Sequence, residues 1–501
     1  MENNELIQEK AENSEDFLLS KEKFWTVHIQ KNKAKQITIS NLRIISILKG
    51  LGYYRHDLDN DAHTFVHIEN NIVREVSEKT IRDVFFSHIE KMPSKLEKNL
   101  TRDELLEKLH AGIDSYLSKS KLERLNLNTP LMFVQDTKEQ AFFFFKNGYV
   151  CVDKDKIELK PYSELHGFIW KNQIVNKELT IKAINEKELS QNGVFSKFVS
   201  FISKQDDPRV RQLASLMGYL LHNYRHGKRK SVCFTDSSLE DSNNGRSGKT
   251  LLAKSLGKLK SYTEIAGKDF DPKNKHKYQS CQLDTQIVHI NDARNNFQFE
   301  ALYNDITEGL NVEKKNKNPF IIQPRMIISS NKPLRIEGAS DRDRVVEFEL
   351  DNYFSDRHSP INEFGHIFFE EWDQEEWNKF YNFMFWCIKE YFNTGLQEPE
   401  NTSLPIRKIR NETSIEFFEW IELKSEEFIE SITKQAWFDK KELFNEFKNQ
   451  NPDENEKLKQ RTFTVWFKKY CAYKKLKVKE EKRRNPVNPK EFLELIAFEP
   501  F

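Results

Sequence analysis

Asn243-Asn244-Gly245-Arg246-Ser247-Gly248-Lys249-Thr250 follows the apolar run Ser231-Val232-Cys233-Phe234 and precedes the helical pattern Leu251-Leu252-Ala253-Lys254-Ser255-Leu256. Strand, glycine-bearing loop, Gly-Lys-Thr and helix is an order that wraps phosphates. Backbone N–H groups of the loop and of the helix start point at an anion, the lysine reaches it as a point charge, and the threonine hydroxyl can join a Mg²⁺ shell. The residues expected to touch a nucleotide are therefore Asn244, Gly245, Arg246, Ser247, Gly248, Lys249 and Thr250. Asn243 stands where the usual first glycine of G-x-x-x-x-G-K-[ST] would fall. Asparagine tolerates a left-handed backbone better than most residues, so the turn remains feasible.

Two later strands extend this reading. Gln286-Ile287-Val288-His289-Ile290-Asn291-Asp292 is an apolar strand ending in an acid, and Arg325-Met326-Ile327-Ile328-Ser329-Ser330-Asn331 is another ending in an amide. The first is placed to bring a carboxylate beside Mg²⁺ and the attacking water, the second to orient water or sense a γ-phosphate. Arg342 and Arg344 follow on a loop before the strand Val345-Val346-Glu347-Phe348-Glu349, and either can act as a finger on a neighbouring subunit's nucleotide. Val312-Glu313-Lys314-Lys315-Asn316-Lys317-Asn318-Pro319-Phe320 lies between the two strands. Its lysines and Phe320 offer charge and one stacking surface to single-stranded DNA; the plainer reading is an exposed charged turn.

This order of motifs resembles the superfamily 3 helicases of viruses, phages and plasmids, ring ATPases of the AAA+ class. Asn244–Thr250, Ile290-Asn291-Asp292-Ala293-Arg294, Phe297-Gln298-Phe299-Glu300, Ile327–Asn331, Glu363-Phe364-Gly365 and Glu371-Trp372-Asp373 with Glu375-Glu376-Trp377-Asn378 are similar to primase-helicase family proteins of phages and mobile elements. The resemblance covers roughly residues 190–400. It implies ATP and Mg²⁺ as cofactors, a homo-oligomeric ring that is a hexamer in that family, single-stranded DNA in its channel, and a hairpin bearing Lys314, Lys315 and Lys317 that follows the strand. A separate primase is a further partner left open.

One departure stands out. The family's acidic pair is here Asn291-Asp292. If Asn291 faces Mg²⁺, metal affinity falls; if Asp292 does, Ala293 cannot act as base and a group such as Glu300 must help. The favoured reading makes Asp292 the principal carboxylate, with Thr250 the second metal-side residue and turnover attenuated. A DNA-stimulated turnover that rises when Asn291 is replaced by aspartate would mark a working but attenuated motor, and ATP binding without turnover would mark an assembly switch.

The remaining chain sets the frame. Its 501 residues suggest roughly three or four domains at ~100–200 residues each. Lys plus Arg number 79 against 78 Asp plus Glu, so net charge argues neither for nor against nucleic acid. No apolar run is long enough to span a membrane and the N-terminus has no signal-peptide pattern, so a cytoplasmic location with no membrane partner is expected. Five cysteines without a C-x-x-C pair read as buried thiols. The aspartates of Asp57-Leu58-Asp59 and Asp153-Lys154-Asp155 match two-metal sites only in composition; each pair lies in a polar turn, where Asp is common for local hydrogen bonding.

The expected fold class is an α/β P-loop AAA+-type core with an α+β N-terminal region and a mostly helical, winged-helix-like C-terminal domain. Residues 1–95 form an α+β unit open to a winged-helix reading, 96–190 a helical then β-rich subdomain, 191–350 the core with its leading helices, 351–412 a helical segment and 413–501 the last domain. There the helix around Arg461–Tyr470, bearing Lys468 and Lys469, precedes a basic strand bearing Lys477 and Lys479, a pairing that suits duplex DNA as well as a solvated face. The functional expectation is an ATP-dependent DNA helicase or translocase for replication of a phage or mobile element. The alternative is a weakly hydrolysing or non-hydrolysing nucleotide-binding protein whose assembly on DNA the nucleotide drives.

Overall fold

Strands buried on both faces read as continuous apolar runs and need cover on each side. In the computed structural model four such strands and a partly exposed edge strand, β14, form one parallel sheet: β13 (Ser231–Asp236), β14 (Tyr262–Ala266), β15 (Ile287–Asn291), β18 (Arg325–Ser329) and β19 (Val345–Leu350), in the order β14-β15-β18-β13-β19. The structure describes residues 23–30, 35–58, 62–181, 192–224, 229–239, 246–294, 297–315, 317–334, 339–434, 436–452, 458–488 and 490–500.

Side chains alternate across this sheet with period two. Val232, Phe234, Ile287, Ile327, Val346 and Phe348 enter one core, while Cys233, Val288, Ile290, Met326 and Ile328 enter another. The first core is closed by helices α6 (Val194–Ile202), α7 (Asp207–Leu221), α8 (Lys249–Leu256) and α12 (Gln374–Thr394). In α12 the aromatic residues Trp377, Phe380, Phe383 and Trp386 are buried, which assigns them to packing. The second core is closed by Tyr278, Phe299, Leu302 and the hairpin of β16 (Leu310–Val312) and β17 (Phe320–Ile322).

Ahead of the sheet lie two smaller units. Helices α1 (Asn41–Gly50), α2 (Glu78–Glu90) and α3 (Arg102–Ala111) share a core that runs from Phe24 to Leu125, past residue 95. Strands β4 (His63–Glu69) and β5 (Ile72–Val76) are joined by Asn70 and Asn71, both at positive φ (49° and 65°), as a tight hairpin turn requires. Strands β8 (Ala141–Phe145) and β9 (Gly148–Val152) form a second hairpin, and its Phe143, Phe145, Val150 and Val152 pack into the first core of the central sheet. Asp153 accepts from the backbone N–H groups of Asp155 and Lys156 at 2.8 Å each, a turn role rather than a metal role. Among the described residues no cluster of three or more metal-ligating side chains is found.

The C-terminal unit packs helices α13 (Leu404–Glu412) to α17 (Gln460–Tyr473) on an antiparallel sheet ordered β20 (Phe438–Asp439), β22 (Phe492–Pro500), β21 (Leu476–Arg484). Its core reaches back to Ile406 and Ile409, so α13 links this unit to the central one. All five cysteines are buried and unbridged, and among the described residues no helix is long and apolar enough to cross a membrane.

Candidate nucleotide site

In a parallel sheet, ligands meet the carboxyl ends of the strands where the strand order reverses. Here β13 lies between β18 and β19 while its successor β14 is at the far edge, so the loop after β13 opens at such a point. Of the residues expected to hold phosphate, Arg246, Ser247, Gly248, Lys249 and Thr250 are described; Asn244 and Gly245 lie outside the described residues, as does Asn243. Gly248 has φ +97°, and a Cβ there would stand 2.7 Å from Phe198 of α6. Only glycine fits both the backbone and the space.

Lys249, 8 % exposed, donates to Asp236 Oδ1 at 2.5 Å, and Ser247 donates to the same oxygen. Burial lowers the lysine's pKa, against the attraction of Asp236. Sequence reading stopped at Phe234 and missed this carboxylate, which the strand carries two residues further to the same face.

The acidic strand differs from expectation in a specific way. Thr250 Oγ1 donates to Asn291 Oδ1 at 3.2 Å, whereas Asp292, at φ +59°, pairs with Lys268 at 2.8 Å and is 41 % exposed in its side chain. Asn291, not Asp292, therefore meets the loop threonine. Glu300, suggested as a helper, is exposed on a short helical turn.

Behind Asn291 runs a chain of polar contacts. Ser329 donates to Asn291 Oδ1 at 2.8 Å, and Asn291 Nδ2 donates to Glu264 Oε1 at 2.7 Å. The carboxylate can only accept, which fixes the amide's orientation. Since the one Ser329 proton goes to Asn291, His289 Nε2 donates to Ser329 Oγ (2.9 Å), and Nδ1 accepts from Tyr262 (2.6 Å). Burial pushes the His289 pKa down to about 4, so the ring is neutral near pH 7. Lys254 of α8 holds the other Glu264 oxygen at 3.2 Å, and these contacts keep the Glu264 carboxyl below its usual range although burial opposes them.

Thr250 and Asn291 thus present hard oxygen atoms beside the loop lysine, a donor set that suits Mg²⁺ held chiefly by phosphates and water.

Asn331 follows β18 at the same end of the sheet, and its carbonyl accepts from Arg407 at 2.6 Å. Arg407 of α13 is buried and close enough to Lys249 to depress its pKa further. No motif spacing marks Arg407, which the sequence places only in the helical segment 351–412. A cavity of about 320 Å³ opens beside it, between Ser238, Lys332, Pro333 and Arg410.

Arg344 and Arg342 are elsewhere. The Arg344 carbonyl accepts from Ser231 N at the amino end of β13, opposite the loop, and its guanidinium lies 4.6 Å from the Tyr303 ring. At ~3.3 Å per residue, that end is about 17 Å from Asp236. Neither arginine serves the site of its own chain.

The expected DNA-binding lysines largely have partners within the chain. Lys314 donates to Gln282 (2.7 Å) and lies over Phe320, Lys317 pairs with Glu75 at 3.5 Å, and Lys315 is exposed. Lys468 pairs with Glu480 at 2.7 Å, Lys469 with Glu412 at 2.8 Å and Lys479 with Glu499; Lys477 is exposed on β21.

No protein-family model matches this sequence, and no curated protein matches it. Among solved structures, two apo forms of the NrS-1 C-terminal region (305–718) are similar at 15 % identity, with TM-scores of 0.39 and 0.43; each comparison covers 92 % of this chain and 99 % or 100 % of the other. A third, an A-form apo structure of the same region, has a TM-score of 0.41 at 15 % identity and covers 91 % of this chain and 99 % of the other. The likeness is long but too shallow to carry an argument.

Proposed function

We propose that this chain is an ATP-dependent DNA translocase or helicase that works as a ring on single-stranded DNA in the replication of a phage or mobile element. The observation that carries the nucleotide part is the convergence of Lys249, Thr250 and Asn291 at the carboxyl ends of a parallel sheet. The DNA and ring parts rest on the sequence resemblance and on the position of Arg344, which suits a neighbour's nucleotide and not its own.

In this reading Lys249 exchanges Asp236 for the β- and γ-phosphates, and the helix start of α8 supplies backbone donors. Bound Mg²⁺ would neutralise charge on those phosphates, held on the protein side by Thr250 and Asn291. Asn331, which follows β18 at that end of the sheet, would orient water, and Arg407 would report on the loop lysine from the C-terminal unit. The cavity beside Arg407 gives the nucleoside a place to lie.

Lys249→Ala is expected to abolish DNA-stimulated phosphate release by the purified protein. Unchanged release in that variant would remove the site from this loop. The second reading, nucleotide-driven assembly on DNA without appreciable turnover, is favoured by one observation: the residue that meets Thr250 carries no charge. ATP binding with no turnover in the wild type would support it.

A further inference from the structure

Asn291 and Glu264 form a matched pair on adjacent strands. Parallel pairing of β14 with β15 sets Glu264 opposite His289, so Glu264, His289 and Asn291 lie on the one face that the loop helix covers. There the amide bridges outward and inward: its oxygen takes the Thr250 hydroxyl at 3.2 Å and its nitrogen gives to Glu264 at 2.7 Å. Glu264 keeps about a third of its side chain exposed, so solvent reaches it. A carboxylate at position 291 would stand against Glu264 at that same short distance, where two like charges cannot both remain ionised without cost. The pair therefore admits one carboxylate and one amide.

We infer that Glu264 supplies, from the neighbouring strand, the negative charge that position 291 lacks, acting through Asn291 on the hydrated divalent cation of a bound nucleotide. This inference rests on the reading of residues 243–250 as a phosphate site. Glu264 is a positioning residue in this scheme. Its charge polarises the Asn291 amide and makes the oxygen that accepts from Thr250 and Ser329 more negative beside the hydrated cation. Mg²⁺ retains several waters in such sites and needs only one or two protein carboxylates nearby, so a charge one residue removed can serve. Lys254 holds the second Glu264 oxygen and keeps the carboxylate turned toward Asn291.

The test is an exchange of the two groups in the full chain. Binding of a fluorescent ATP analogue is titrated against Mg²⁺, and bound Mn²⁺ is followed by electron paramagnetic resonance, for the wild type, Glu264→Gln, Asn291→Asp and the double variant. Glu264→Gln is expected to raise the Mg²⁺ concentration needed for half-maximal binding by about tenfold while leaving metal-free nucleotide binding intact, the scale seen when outer partners of metal ligands are removed. The double variant, which exchanges amide and carboxylate, is expected to return to within about threefold of the wild type. Asn291→Asp alone is expected not to exceed the wild type. Unchanged metal dependence in Glu264→Gln, or no recovery in a folded double variant, overturns the inference alone. Absence of nucleotide binding by the wild type overturns it together with the site on which it rests.

Discussion

Lys249 and Asp236 are the most consequential pair at the residue scale. Both are buried, and each makes the other tolerable in a low-dielectric loop. Removing one charge leaves the other without compensation, at a cost that reaches a few kcal/mol when the survivor cannot move to water. Asp236→Asn is therefore expected to lower the thermal midpoint of the ligand-free protein by several degrees. Added ATP should raise that midpoint by more than it does in the wild type, because phosphates then take over as the lysine's partner. An equal ATP-induced shift in both proteins would show that Lys249 does not change partners. Gly248 is fixed for a different reason, since φ +97° and the nearby Phe198 ring exclude a side chain.

Elements matter through the faces they present. The polar chain Tyr262–His289–Ser329–Asn291–Glu264 crosses β14, β15 and β18 on one face and ties the site to the sheet interior. Its histidine links that network to pH. The folded-state pKa of about 4 lies below the unfolded value near 6.5. Below pH 6.5 the unfolded chain takes up a proton that the folded chain refuses, so stability falls as pH drops and the loss from this group is complete near pH 4. The size is about 3 kcal/mol from a shift of that order. Thermal midpoints measured between pH 7 and 4.5 should fall less steeply for His289→Gln than for the wild type; parallel slopes would remove His289 as the cause.

The β16–β17 hairpin is an element with two sets of partners. In the free chain Lys314 and Lys317 are held by Gln282 and Glu75, and DNA binding in the proposed ring requires them to leave those contacts. Replacing Lys314, Lys315 and Lys317 by alanine is expected to weaken single-stranded DNA binding and to flatten its salt dependence by about two in logarithmic slope, at ~0.7 per phosphate contact. A slope equal to that of the wild type would make the hairpin an exposed turn and no more.

For the whole molecule, the decisive feature is that loop and arginines lie at opposite ends of one sheet. In the proposed ring each chain would offer Arg344 to the next and so bring them together. Arg344→Ala should retain ATP binding and lose turnover, and mixing it with Lys249→Ala should restore part of the activity, because some mixed interfaces contain both intact groups. No recovery in mixtures that do associate would exclude sharing, and normal turnover in Arg344→Ala would move the finger to Arg342 or elsewhere. The C-terminal unit gives a weaker case for DNA, since Lys468, Lys469 and Lys479 are each matched by a glutamate.

The strand, loop and helix around Gly248-Lys249-Thr250 were determined by local sequence, because φ requirements, capping and apolar runs act over a few residues. The same holds for the apolar strands 287–291 and 325–329 and for the Asn70-Asn71 turn, which needs only residues that accept positive φ. Which side of a strand meets the loop is another matter. Period-two alternation makes Asn291 and Asp292 candidates for different surroundings, and choosing between them requires knowing which face α8 covers. The same dependence hid Asp236, Glu264 and Arg407, which reach the site from a strand end, a neighbouring strand and a distant helix. Those approaches arise from strand order and packing between segments far apart in sequence, and long-range packing alone decided that Asn291 and not Asp292 meets Thr250.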